Sequence, residues 1–238
     1  MSAAEGSDQV LYELADDVAC ITFDDGKANA LSRAAIDAIN AALDRAEGEA
    51  KAVVLAGRPG RFSAGFDLSV MKGGIDDVRA LVRSGAELAL RLYTFPRPVV
   101  LACTGHALAA GAILLMSGDV RIGAQGAFKI GLNEVAIGMP VPHFAIELAR
   151  DRLSKRHLTE SVQLATVFDA TEALDVGYLD SVVEPDSVIP AARARAAEFA
   201  ATLSIPAFEA TRRTLRDPVA ASIRNALDAD LSAFFVAQ

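Results

Sequence analysis

The chain has 238 residues, 52% of them hydrophobic, and carries 31 acidic against 23 basic residues for a net charge of −8. That length and apolar content can bury a sizeable core. The mean hydropathy of +0.30 arises without the run of ~18 apolar residues that a membrane helix requires, and a nucleic-acid surface, which needs concentrated Lys and Arg, is excluded. The opening MSAAEGSDQV has neither a basic region nor an apolar block, so no secretory signal is read and the cytoplasm is the expected compartment. Cys20 and Cys103 both lie in apolar runs and read as buried thiols, with no disulfide or metal framework implied.

In chain order, residues 10–14 and 18–23 are β-prone runs separated by Asp16-Asp17, which predicts an opening hairpin, and Asp24-Asp25-Gly26 makes a turn. Ser32 is placed to cap a helix over about 33–47, with Ile39 and Leu43 on one face. Residues 52–56 read as a buried strand, and 57–68, GRPGRFSAGFDL, as a shaped loop. Residues 76–93 carry Val78, Leu81, Val82, Ala86, Leu88, Ala89 and Leu92 in an amphipathic stripe, stopped by Pro96 and Pro98. A strand over 99–103 follows, then the small-residue turn Ala109-Ala110-Gly111, a helix over 112–116, and a strand over 119–122. This alternation predicts an α/β fold with crossover helices. Beyond Val182 the pattern turns Ala-rich, with helices over 187–203, 206–215 and 218–235. The predicted organisation is an α/β core over 1–186 and a helical C-terminal region over 187–238 that packs on the core or on a neighbouring subunit.

Two features carry chemistry. The Ala109-Ala110-Gly111 turn leads from a strand into a helix, where unpaired N–H groups and partial positive charge suit a negative oxygen. Some twenty residues on, Glu134 is an isolated carboxylate in the apolar and glycine-bounded run Gly131-Leu132-Asn133-Glu134-Val135-Ala136-Ile137-Gly138. An apolar pocket there would raise its pKa towards the value a base at neutral pH needs. Asp119 is expected to fix backbone geometry or to pair with Arg121. His106 is expected to be packed and hydrogen-bonded, and His157 and Glu160 to lie on the surface.

Phe62-Ser63-Ala64-Gly65-Phe66-Asp67-Leu68, then Gly105-His106-Ala107-Leu108-Ala109-Ala110-Gly111, then Asp119-Val120-Arg121-Ile122 together resemble the crotonase (enoyl-CoA hydratase/isomerase) superfamily. The likeness runs from Lys27-Ala28-Asn29-Ala30-Leu31-Ser32 to residue 183. The resemblance implies a crotonase-like spiral of ββα repeats with a helical C-terminal appendage. It also implies a homotrimer or dimer of trimers assembled through that appendage, and acyl-CoA thioester substrates. Coenzyme A would then be part of the substrate rather than a separate cofactor, with no metal. Carried onto this chain, it puts oxyanion N–H donors on Phe66 and Ala110, the latter with Gly111 in a turn that usually holds glycine at position 110. It places Ala64, Asp67 and Leu68 at the adenine end of coenzyme A, and Lys27 with Ala28 along the nucleotide and pantetheine path.

Hydratases of that family use two glutamates, whereas this chain has Ile113 at the first position and Glu134 at the second. Adding water across a double bond needs two acid/base groups, and moving a proton between C2 and C4 of a 3-enoyl thioester needs one. The segment around Glu134 is also similar to that of 3,2-trans-enoyl-CoA isomerases, so isomerisation is the preferred expectation. Hydration, hydrolysis or decarboxylation on the same scaffold, with His143 or a water replacing the missing acid, and a non-catalytic acyl-CoA-binding protein are the alternatives.

Overall fold

A computed structural model describes residues 9–235; the readings made for residues 1–8 and 236–238 lie outside the described residues. The chain opens with β1 (Val10–Ala15) and β2 (Val18–Phe23), an antiparallel hairpin turned by Asp16 and Asp17, both in the left-handed region that aspartate tolerates. After β3 (Ala30–Leu31), Ser32 caps α1 (Arg33–Glu49), its hydroxyl accepting the Ala35 N–H at 3.1 Å. Then come β4 (Ala52–Ala56), β5 (Gly60–Ser63), β6 (Gly65–Phe66), the single turn α2 (Leu68–Met71) and α3 (Ile75–Tyr93). The next unit is β7 (Val99–Cys103), β8 (Gly105–Leu108), α4 (Ala110–Ser117), β9 (Val120–Ala124) and β10 (Ile130–Gly131). The remainder is α5 (His143–Arg152), α6 (Leu158–Val162), α7 (Ala170–Val176), β11 (Ser181–Val183), α8 (Val188–Thr202) and α9 (Ile205–Ala233).

The main sheet has the order β1-β2-β4-β7-β9-β11, parallel from β2 onward. Its central strands β4 and β7 are buried at every position, which is why they read as unbroken apolar runs rather than alternating ones. One face packs on α1, α3 and α4; the other is covered by α8, whose Ala192, Ala196 and Ala200 recur every four residues and let the helix lie close against Val54, Val100 and Ile122. A second parallel sheet, β10-β8-β5, and the short pair β3-β6 stand beside it and carry the loops of the site. Cys20 and Cys103 are buried free thiols. No helix of the described residues is long and apolar enough to cross a membrane.

Two expectations need correction here. The helices read over 206–215 and 218–235 are one helix, α9, with Pro218 inside it. A proline removes one intrahelical bond at a cost of about 3 kcal/mol. Burial on both sides of it, by Arg212 and Arg216 upstream and Ile223, Leu227 and Leu231 downstream, holds a continuous axis. Asp119 does fix backbone geometry, accepting the Val99 N–H at 2.7 Å, but it does not pair with Arg121: its carboxylate lies between Arg212 and Arg216 of α9, at 2.9 Å from Arg216. Arg121 is instead gripped by Asp180, at 2.8 and 2.6 Å. Together the two choices place three nearly buried guanidinium groups, Arg121, Arg212 and Arg216, against carboxylates on elements that only tertiary folding brings together.

Candidate active site

The site begins at Asn29. It is fully buried with a left-handed φ of +53°, and its side-chain amide donates to the carbonyls of Phe23 (2.7 Å), Arg61 (3.2 Å) and Phe62 (3.3 Å). Ser63 Oγ returns a bond to the Asn29 carbonyl at 2.8 Å, and the Ala64 N–H donates to Ala28 at 3.1 Å. These bonds fasten the segment before α1 to the β5–β6 edge and so fix the backbone that carries Phe66. Gly65 follows with φ +94°; a Cβ there would lie 2.9 Å from Ala109 Cβ and 3.3 Å from Ala110 N. Two backbone segments therefore meet at Gly65, one carrying the Phe66 amide and the other the Ala110 amide. The Phe66 ring is seated against α3, where a Cβ on Gly85 would come within 2.3 Å of it.

Across this junction, Ala109 adopts φ 50° and ψ −123°. A non-glycine residue in so sparse a region costs about 1–3 kcal/mol, and it persists because the surroundings over-determine it. Its N–H donates to Gly131 at 3.0 Å and its carbonyl accepts from Ile113 at 3.0 Å. The α4 helix therefore starts at Ala110, two residues earlier than the sequence reading, and as its first residue Ala110 has no acceptor one turn back for its N–H. Gly111 is obligatory for space: a Cβ would come within 2.4 Å of the Ser63 carbonyl oxygen.

A cavity of about 240 Å³ opens beside this turn, bounded by Phe66, Leu68, Ala109, Ile113, Glu134 and Phe234 among others. Every wall is apolar apart from Asn133 and Glu134, and Glu134 is the only ionisable group among the lining residues. Its side chain is buried, its Oε2 meets no hydrogen-bond partner, and it precedes the short helical turn Val135–Ile137. Loss of hydration pushes its pKa from 4.5 up to about 7, against the opposing pull of the backbone N–H groups of Glu134 and Asn133. A half-ionised carboxylate facing apolar walls at neutral pH can accept and return a proton. The adjoining turn offers an amide to developing negative charge.

The enoyl-CoA hydratase/isomerase model matches residues 13–236, nearly the whole chain. The chain belongs to that family. The family's acyl-CoA enzymes thus include this one, and its relatives divide between two reactions. The apo structure of the Mycobacterium tuberculosis enoyl-CoA isomerase is 40% identical, superposes with a TM-score of 0.91 and covers 95% of this chain and 99% of its own. Human mitochondrial enoyl-CoA delta isomerase 1 is 31% identical over 96% of this chain and 78% of its own length. A probable enoyl-CoA hydratase of Bacillus subtilis is 32% identical over 77% of this chain and 72% of its own.

Of the residues singled out by sequence, Glu134, Phe66, Ala64 and Leu68 line the cavity of this family enzyme, as does Ile113. Ala110 and Gly111 are buried behind Ala109. Lys27 is exposed and Ala28 half-buried, outside the cavity lining. Asp67 also lies outside it: its carboxylate caps α2, accepting the Ser69 N–H (2.8 Å) and hydroxyl (2.7 Å), while its N–H is taken by Leu31 at 3.2 Å. His143 does not line the cavity, although Pro142 does; its backbone N–H starts α5 by donating to Asp230 at 2.9 Å. His106 is packed edge-on against Phe128 and accepts the Lys129 N–H at 2.9 Å. His157 is part-buried rather than fully exposed, 3.0 Å from Asp175.

Three contributors escaped the sequence reading. Asn29 had a signal, an Asn among small residues between a turn and a helix cap, where left-handed backbone is cheapest for that residue type. Met71 and Phe234 had none, because their place in the wall depends on how α2 and α9 fold over the cavity.

Proposed function

We propose that the protein moves the double bond of a 3-enoyl-CoA to give trans-2-enoyl-CoA, with Glu134 as the single proton carrier. The observation that supports this most is one buried carboxylate with an unpartnered oxygen, in a cavity whose other acid position is the aliphatic Ile113. In this reading the carboxylate takes the C2 proton, which the thioester and the adjacent alkene both acidify. The C–H electron pair passes into the dienolate, and its negative charge settles on the thioester oxygen. The Phe66 and Ala110 N–H groups hold that oxygen; donors arranged in advance of the charge cost no reorganisation when it forms. The same carboxyl then delivers the proton to C4, where the C3–C4 π pair forms the new C–H bond; the enolate pair moves into the C2–C3 double bond and the oxygen restores the carbonyl conjugated with it. No other acid or base is needed, and coenzyme A enters only as part of the substrate, its nucleotide end running past Ala64, Asp67 and Leu68 towards Lys27 and Ala28. Residues 187–238 are assigned the subunit contact of a homotrimer or dimer of trimers, a role supported by the exposed Leu203 and Leu215.

Separate incubations with 3-enoyl-CoA and 2-enoyl-CoA, followed through the absorbance of the conjugated enoyl thioester, test the reaction. A rise with the first and little loss with the second is expected. Rapid loss with the second, giving the 3-hydroxyacyl product, would assign the site to hydration instead.

A further inference from the structure

Phe234 follows the last residue of α9, more than a hundred positions from the catalytic turn in sequence, yet it is buried and forms part of the cavity wall. It is held there from two sides. On the α3 side, the Arg79 guanidinium donates to the Ser232 carbonyl at 2.7 Å and reaches the Phe234 carbonyl at 3.5 Å, and Arg83 pairs with Asp228 at 2.6 Å. On the α5 side, the Asp230 carboxylate accepts the His143 N–H at 2.9 Å. Leu227 and Leu231, on the same end of the helix, are buried in the core. Five anchored residues among the last seven of α9 make this end a fixed stop, not a loose tail.

We propose that Phe234 is a specificity-determining residue that ends the acyl cavity and restricts the enzyme to short acyl chains. The inference rests on the cavity's being the acyl site. It adds that the chain-length limit is set by the C-terminal helix of the same subunit rather than by the loops that carry the chemistry. An acyl chain that ends at the ring keeps its full apolar contact; each further methylene must displace the ring or stay in water. Removing the ring opens that space, and each methylene newly buried is worth about 0.8 kcal/mol, or roughly four-fold in affinity.

The test is a binding ladder, by calorimetry, of saturated acyl-CoA thioesters from butanoyl to dodecanoyl, which needs no chemistry. The wild-type protein is compared with Phe234→Ala and with Phe234→Leu, the latter retaining an apolar side chain against the core if the alanine variant folds poorly. Wild-type affinity is expected to peak at a short chain. Phe234→Ala is expected to move the peak to longer chains, with affinity gaining roughly four-fold per methylene added beyond the wild-type optimum, and Phe234→Leu to move it part-way. Profiles of variants and wild type that run parallel would overturn the role of Phe234 while leaving the acyl site standing. Absence of acyl-CoA binding by the wild type would overturn both. A shifted ladder in a protein that fails the 3-enoyl assay would sink isomerisation alone.

Discussion

Two interior carboxylates, Asp119 and Glu134, lie at opposite extremes of partnership. Asp119 is saturated: two guanidinium groups from α9 and a backbone N–H from β7 converge on it, and those arginines also donate to the carbonyls of Phe95 and Tyr93. Glu134 faces apolar walls with one oxygen unpartnered. Ion pairing makes the first a clasp that ties the C-terminal helix to the sheet. Isolation makes the second reactive, because a carboxylate that no cation stabilises is one whose proton can come and go near neutral pH. Burial alone thus does not bring a carboxyl into the neutral range; burial without compensation does.

Exchanging each group for its amide would expose the contrast. Glu134→Gln keeps the shape and removes the base, so kcat for 3-enoyl-CoA isomerisation should fall by about 100–10,000-fold, read in the absorbance assay. A variant that kept more than a tenth of wild-type turnover would break the assignment. Asp119→Asn should do the reverse. It leaves two nearly buried arginines short of a counter-charge, and urea unfolding should register a loss of about 3 kcal/mol or more, with kcat per folded molecule little changed.

The sharpest version of the comparison uses pH. The Glu134 pKa is raised on folding, so its neutral form is the one the fold favours: no penalty exists below pH 4.5, and the penalty grows as pH rises through about 7. Relative to Glu134→Gln, wild-type stability should therefore decline by roughly 2–3 kcal/mol between those limits and then level off. Over the same window kcat/KM should climb about tenfold per pH unit and flatten above about 7, since only the ionised form takes the C2 proton. A pH-independent stability difference would show that the carboxyl is hydrated in the folded state.

Much of this was legible in the chain. The hairpin, the Ser32 cap, the strands at 52–56 and 99–103 and the amphipathic α3 each depend on nearby residues, and so they follow from periodicity, turn chemistry and capping. The tight turn at Ala109-Ala110-Gly111 and the buried position of Glu134 were legible because a glycine-flanked small-residue turn and a lone acid in an apolar run both violate ordinary patterning. What stayed hidden was long-range choice. Asp119 had Arg121 two residues away and took Arg212 and Arg216 instead, because Arg121 is engaged by Asp180 and α9 brings its two arginines to Asp119, a choice made by residues far away in the chain. Pro218 signals a break only if the helix is considered alone; tertiary anchoring on both sides cancels the signal. Phe234 carries no local sign of its place until α9 is laid across α3 and α5.

The notch at Gly85 has a consequence for how damage would be traced in this protein. A hydrogen atom in place of a side chain on α3 leaves the room into which the Phe66 ring leans, so the aim of the neighbouring amide is inherited from a helix with no chemistry of its own. Enlarging position 85 would push on the ring, and through the ring on the Phe66 peptide, the proposed oxyanion donor. A lesion there would register in the kinetics as an active-site defect at a position outside the cavity wall, and a map of sensitive positions drawn by distance from the substrate would overlook it.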